Sequence, residues 1–431
     1  MILAHGVGGR SDLPVPLWLA LYAGAFAVLV SFVALTVLWK TPRLRGAAAG
    51  RPLPTALTRF TDARSTRITL QLLALAALLT LIAVAWFGPD SSADNPAPTW
   101  FYVWFWVGLV ALSLVFGPVY RVANPLRLIT SVVRGIVGTR VPTADPAALR
   151  RLEYRPAVVG LFAFLWLELV YPLSDSPRAV AGFVVVYSLA QVVGGVRFGL
   201  GWFERGDAFE VYFTLVSRLS PIGRRNDGRI GVRNPLDGLL VGPSDRGLTA
   251  VVLLALGSTT FDGVTRLPFW SDLRRDLSRL QAVGVGTVGL LLTVAVVAIA
   301  YVGTIWLTRP YLKKSVDGRT QEPYAAFVHS LVPIMVGYTV AHYFSFAVFQ
   351  GQAGWLLLDG GGRIDYTVVS TDVIAVVQIA AIVGGHVLGV ASAHDRAVSI
   401  LRTGYTKVGQ FPMLALMVAY TVVGIQLVSG V

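Results

Sequence analysis

The chain has 431 residues, of which 55% are hydrophobic and only 14% charged, whereas a soluble chain carries roughly 25% charged residues. It has no cysteine, which excludes disulfides, thiolate metal sites, iron–sulfur clusters and thiol catalysis. The net charge of +13, with 32 of the 36 basic residues being arginine, would suggest nucleic acid in a soluble chain. Here the charges sit between long apolar runs, so a lipid bilayer is the expected partner and nucleic acid is not.

Ten apolar runs approach the ~20 residues that a spanning helix needs. They cover Leu17–Leu38, Ile68–Phe87, Phe101–Tyr120, Ala157–Leu173, Ala179–Phe198, Leu248–Val264, Val283–Leu307, Tyr324–Phe349, Thr371–Ala393 and Pro412–Val428. The sixth is the least certain. The first is too long for a signal-peptide core and no basic segment precedes it, so it reads as an uncleaved anchor with its N-terminus outside. The loops 39–67, 121–156, 199–247, 309–323 and 394–411 hold 28 Lys and Arg, the remaining loops and termini hold seven, and Arg197 lies at a boundary. This split places the first set inside. The expected fold is therefore all-α: one polytopic bundle of about ten transmembrane helices, N-out and C-out. The Arg/Ala/Val/Gly bias is that of a high-GC bacterium, which points to a bacterial plasma membrane.

Several segments between the runs have character of their own. Residues 121–140 place Val122, Leu126, Ile129, Val133 and Ile136 at helical spacing with Arg121, Arg127, Arg134 and Arg140 between them. That pattern predicts an inner interfacial helix suited to anionic headgroups. Residues 202–219 mix Trp202, Phe203, Phe209, Tyr212 and Phe213 with Glu204, Asp207 and Glu210, and read as a helix lying flat on the inner surface. Outside, 269–281 sets Phe269, Trp270, Leu273, Leu277 and Leu280 beside Arg274, Arg275 and Arg279, again interfacial. Asn124-Pro125-Leu126 and Asn234-Pro235-Leu236 are turn or helix-start signals. The aromatic run Phe101–Trp106 reads as an interfacial belt, and Gly284, Gly286 and Gly289 as helix-packing positions.

No P-loop, His-Glu-x-x-His, Gly-x-Ser-x-Gly or Rossmann fingerprint occurs. Chemistry therefore rests on polar residues within the spans. Glu168 is the sharpest, because it lies inside the apolar run Val158–Tyr171. A charge at bilayer depth costs at least about 2.5–3.5 kcal/mol, so Glu168 is expected to face the bundle interior, within reach of Asp262 or His342. Asp262, His342, Asp372 and Gln378 fall in the same outer leaflet, while Gln191, His386, His329 and His394 lie deeper or further in. Met335, Tyr338, His342 and Ser345 form one helical stripe.

Two carboxylates and a histidine on a common outward cavity can relay protons, activate water or hold a divalent metal. Glu168 and His342 are the catalytic candidates, and Glu168, Asp262 and His342 the metal candidates. Asp262, Tyr338, Gln191, Asp372, Gln378 and His386 are candidates for a substrate or ion pathway. Each has a bland alternative: an interhelical hydrogen bond for Glu168 and His342, helix capping for Asp262 and Asp372, close packing with Gly385 and Gly389 for His386. His394-Asp395-Arg396 reads as a solvated helix end, and His5 with Asp12 as a lid over the outer site.

Several segments also resemble a known family. They are Ala4-His5-Gly6 with Gly9-Arg10-Ser11-Asp12-Leu13-Pro14, then Val30-Ser31-Phe32-Val33-Ala34-Leu35 and Trp39. Phe261-Asp262-Gly263 with Pro268-Phe269-Trp270, and Gly385-His386-Val387 with Ala393-His394-Asp395-Arg396, complete the set. They are similar to bacterial, actinobacterial-type polytopic membrane proteins often labelled "fenitrothion hydrolase". The resemblance implies membrane-associated organophosphate hydrolysis and assigns no residue a role. Three functions stay open: a transport-type bundle for a small solute, metal ion or proton around Glu168; a membrane-embedded hydrolase; and a subunit of a membrane complex or homo-oligomer.

Overall fold

The structure is a computed structural model that describes residues 16–242, 245–313, 322–359 and 361–429. His5 and Asp12, and the first segments of the family resemblance, lie outside the described residues. The twelve main helices are α1 (Leu17–Leu38), α2 (Arg64–Phe87), α3 (Ala97–Phe116), α4 (Pro125–Val137), α5 (Arg155–Leu169), α6 (Pro177–Phe198), α7 (Ala208–Ser217), α8 (Arg246–Thr265), α9 (Arg279–Thr308), α10 (Val328–Leu356), α11 (Thr371–Ile400) and α12 (Phe411–Ser429). Among the described residues nine helices, all of these but α4, α5 and α7, are long and apolar enough to cross a membrane. The chain is a multi-pass helical membrane protein. Among the described residues the strands are confined to a small antiparallel sheet of β1 (Arg51–Pro52), β2 (Ile222–Arg224) and β3 (Ile230–Val232), in the order β1-β3-β2.

The chain forms two compact units. One contains residues up to 46, 239–346 and 366 onwards; the other contains 47–238 and 347–365. In the first, α1 is apolar all round, so its buried face is set by size. Ala20, Gly24, Val28 and Phe32 recur every four residues and are buried, while Trp18, Tyr22, Phe26 and Val33 are exposed, as a lipid-facing side requires. A Cβ on Gly24 would come 2.6 Å from Ile425 Cδ1. The least certain run of the sequence, now α8, is buried along most of its length. Protein surrounds it, so it needs less hydrophobicity than a lipid-facing helix. α10 and α11 cross where Gly337 and Gly385 meet backbone to backbone, and no side chain fits there. In α9, Gly289 seats Trp270 and Phe261, but Gly284 meets nothing within 4 Å and is not the packing position its spacing suggested.

In the second unit the two Asn-Pro-Leu tripeptides do one job: Asn124 Oδ1 accepts from Leu126 N and Asn234 Oδ1 from Leu236 N, each before a helix that opens on proline. α7 corrects an expectation. It does not lie flat on a surface: Phe209, Tyr212 and Phe213 are at most 3% exposed, and so is Glu210. Its acids find partners inside the protein instead of water.

The tenth expected span is α5, whose 15 residues rise about 22 Å against a hydrocarbon core of ~30 Å. Both ends of the stretch are tied to neighbouring segments. At its start Arg205 lies over the Tyr154 ring. Beyond its end Tyr102 Oη donates to Ser174 O, Ser92 Oγ to Asp175 and Arg178 pairs with Asp90. The helix buries Leu161, Phe164, Leu165, Leu167 and Glu168 and leaves Val159 68% exposed. A topology test follows. Single cysteines in this cysteine-free chain at Asp94 and Arg363 are expected to react with an impermeant thiol reagent in intact cells, and one at Asn226 is expected to be spared. Labelling of Asn226→Cys with protection of Arg363→Cys would mean that α5 does not cross.

Candidate functional site

The second unit holds a cavity of about 480 Å³ walled by α2, α3, the chain around 120–126, α6 and Phe209 of α7. Its shape begins with α3, which is π-helical from Trp100 to Val107, so that Gly108 N–H reaches the Val103 carbonyl five residues back. A π turn is wider than an α turn and π segments recur at functional sites. Here it sets Trp100 over Trp104, with centroids 6.0 Å apart, and Phe101 parallel to Phe105 at 5.8 Å. All four aromatic rings line the cavity, facing small residues such as Ala74 and Ala77 of α2. The run read from sequence as an interfacial belt thus lines a cavity, with Trp104 still 40% exposed. Trp104 and Trp100 are also tied by their indole N–H groups to the carbonyls of Gly351 and Gly354.

At one end this aromatic wall meets a buried polar cluster. Tyr187 of α6 lines the cavity, and its hydroxyl donates to Asp207 Oδ1 at 2.7 Å. Asp207 is fully buried and caps α7, accepting from Phe209 N and Glu210 N. Asn124 Nδ2 bridges Asp207 Oδ2 and Glu210 Oε2 at 2.8 and 3.0 Å. Arg127 closes the cluster with a two-point grip on Glu210, Nε to Oε2 at 2.8 Å and Nη2 to Oε1 at 2.5 Å. The half-exposed pair Arg121–Glu204 carries it to the surface. Asp207 lies outside the nine spans. Burial first, and then the Glu210 carboxylate, push its carboxyl up to about 6, against the opposing hydrogen bonds of Tyr187 and Asn124. None of Asn124, Arg127, Asp207 or Glu210 stood out as a site residue in the sequence. The available signal was four arginines on 121–140 beside three acids on 202–219.

The predicted site residues divide between the units. Glu168 is buried at 4% exposure on α5, one turn after Phe164, whose ring packs on Phe101, Trp106 and Phe209. It therefore belongs to the cavity's own unit. So does Gln191, whose Oε1 accepts from Trp202 Nε1 at 2.7 Å and locks that indole between Gly194 and Gly206. Gln191 is therefore a fastening for Trp202.

Asp262, His342, Tyr338 and His386 come together in the other unit. His342 Nε2 lies 2.5 Å from Asp262 Oδ2, and Arg266 Nη2 reaches Asp262 at 3.3 Å and the ring nitrogens of His342 at 3.3 and 3.5 Å. One turn away Tyr338 donates to the Tyr420 carbonyl at 2.6 Å, with its ring against His386. His386 donates through Nδ1 to Ile382 O, leaving Nε2 buried without a partner. Asp372 is exposed in the first turn of α11, and Gln378 is half-buried. His394 and Asp395 are not a solvated end: His394 bonds Gln410 and the Trp39 carbonyl, and Asp395 accepts from Trp39 Nε1 and Arg43 N. Among the described residues no three His, Asp or Glu side chains gather as a metal-holding group.

No family model matches the chain, and no curated protein or solved structure matches it.

Proposed function

We propose that this is a transport-type membrane protein that carries a small, largely aromatic or otherwise apolar molecule, with the π-walled cavity as its binding site. The observation that carries the reading is the cavity itself: about 480 Å³, mostly apolar, with two buried tyrosines in its wall, one of which, Tyr187, has its hydroxyl bonded to the Asp207 carboxylate. Sites of that size with few polar groups suit small ligands, and this one lies among membrane-spanning helices that a bilayer-soluble molecule can reach laterally. Glu168 supports the reading as a buried carboxylate of the same unit. A naphthyl ketone reconstituted with the full chain in proteoliposomes should show saturable counterflow. Ala77→Trp, which puts an indole into the cavity, should reduce its binding by more than about tenfold, or ~1.4 kcal/mol, without a change in unfolding temperature. Counterflow that does not saturate, or that survives the filled cavity, would end the proposal.

The hydrolase reading that the family resemblance implies has one observation in its favour, the Asp262–His342 pair. A carboxylate-oriented imidazole is the pattern of a general base. Turnover of an aromatic phosphotriester by the purified protein, lost on His342→Gln, would favour it over transport.

A further inference from the structure

The buried cluster beside the cavity is more elaborate than packing requires. It holds two carboxylates three residues apart on one short helix, and only one of them, Glu210, has an arginine. Asp207 is held by neutral donors alone: the Tyr187 hydroxyl, the Asn124 amide and two backbone N–H groups. One of those donors, Tyr187, is also a wall of the cavity. Its single hydroxyl hydrogen can point at Asp207 or at a ligand, but not at both.

We propose that Asp207 is a proton-binding site coupled to the cavity through Tyr187, so that the protein takes up a proton as it binds a ligand bearing a hydrogen-bond acceptor. This inference rests on the cavity being the binding site. With Asp207 ionised, the Tyr187 O–H is committed to Oδ1. When a proton from water reaches that carboxyl, the hydrogen bond reverses: the new carboxyl O–H donates to Tyr187 Oη, and the phenol hydrogen turns to the cavity. No covalent bond other than the carboxyl O–H is made, and no backbone movement is needed. The matching ligand has an apolar aromatic body and one carbonyl or ether oxygen.

The charged and titratable groups around Asp207 all work in the same sense or are fixed. Glu210, its neighbour on α7, favours the protonated form by repulsion. Arg127 from α4 is engaged by Glu210 in a two-point pair. Tyr120 and Tyr187 complete the surroundings, and Glu204 lies beyond Arg127. Burial places the carboxyl at about 6, close enough to neutrality for the change to occur near physiological pH. The sign follows directly. A ligand that takes the phenol hydrogen removes a donor that stabilises the ionised carboxyl, so the bound state holds its proton more tightly. By reciprocity, lower pH favours binding.

The test uses the full chain in lipid nanodiscs, a naphthyl ketone as probe, and the Ala77→Trp protein to subtract lipid partitioning. Affinity should rise about tenfold between the alkaline and acid sides of pH 6, as it must if the bound protein holds the Asp207 proton about tenfold more tightly than the free one. Calorimetry in two buffers of unlike ionisation heat should show net proton uptake, a measurement that needs no variant. Asp207→Asn, which has no proton to exchange at this position, should bind with an affinity that does not change with pH. Tyr187→Phe should flatten the profile, and naphthalene, which has no acceptor, should bind without proton uptake. Saturable binding with no proton uptake, or an unchanged pH profile in Asp207→Asn, would overturn the coupling alone. Absence of cavity-dependent binding at any pH would overturn the cavity reading together with it.

Discussion

Glu210→Ala is expected to remove about 3–5 kcal/mol of folding stability. Glu210 is 1% exposed, and its partner Arg127 has a side chain only 14% exposed. Deleting the carboxylate leaves a largely buried guanidinium without its counter-charge and Asn124 without one of its two acceptors. The cost lies in that uncompensated charge rather than in the strength of the pair. Replacing both partners with apolar residues of similar size, as in Glu210→Leu with Arg127→Met, should therefore recover most of the loss, and a double-mutant cycle would expose the coupling. The measurement is thermal or denaturant unfolding of the full chain in detergent. A single variant within about 1 kcal/mol of wild type would show that water or lipid headgroups already compensate Arg127.

Gly424→Val should be nearly as damaging. A Cβ at position 424 of α12 would overlap the Oη and Cζ atoms of Tyr338. Overpacking of a core commonly costs about 1–3 kcal/mol and sometimes more. Here the displaced tyrosine also gives up its 2.6 Å bond to the Tyr420 carbonyl, worth about 1 kcal/mol. A total near 3–4 kcal/mol is expected. Tyr338→Leu removes the obstructing phenol, so Gly424→Val combined with it should cost clearly less than the two changes added separately. Simple additivity would mean that α12 shifts away instead, and that the Tyr338–Gly424 contact does not fix the approach of these helices.

The bundle itself was legible from the chain because lipid penalises charge heavily and locally. Each apolar run reports its own solvent without reference to distant residues. α5 overlaps the fourth apolar run, but its 15-residue helix is shorter than a span needs. The polar site was only partly legible. Asp262, His342 and Tyr338 share a region because helical spacing and depth can both be counted along a sequence. Asp207 and Glu210 escaped because what buries them is a partner helix 83 residues or more away in the chain, Asn124 and Arg127 at the start of α4. Their own segment carries the alternation of aromatic and acidic residues that an interfacial helix would show. The cavity was illegible for a different reason. An uninterrupted aromatic run contains nothing that distinguishes a π from an α hydrogen-bonding pattern, and the difference between a lipid belt and a cavity wall is which way those rings turn.

That turn also bears on how this stretch tolerates changes of length. A π segment accommodates more residues per turn than the α-helix into which it merges at Gly108. Loss of one residue between Trp100 and Val107 would let the backbone relax to regular α geometry with every hydrogen bond still made, while rotating the residues on one side of the loss by about 100° relative to those on the other. Trp100 and Trp104 would no longer stand over one another, and one of the two aromatic pairs would turn toward lipid. A deletion harmless to the span would thus erase the chamber, and relatives of this chain with and without the extra residue would have the same topology and different interiors.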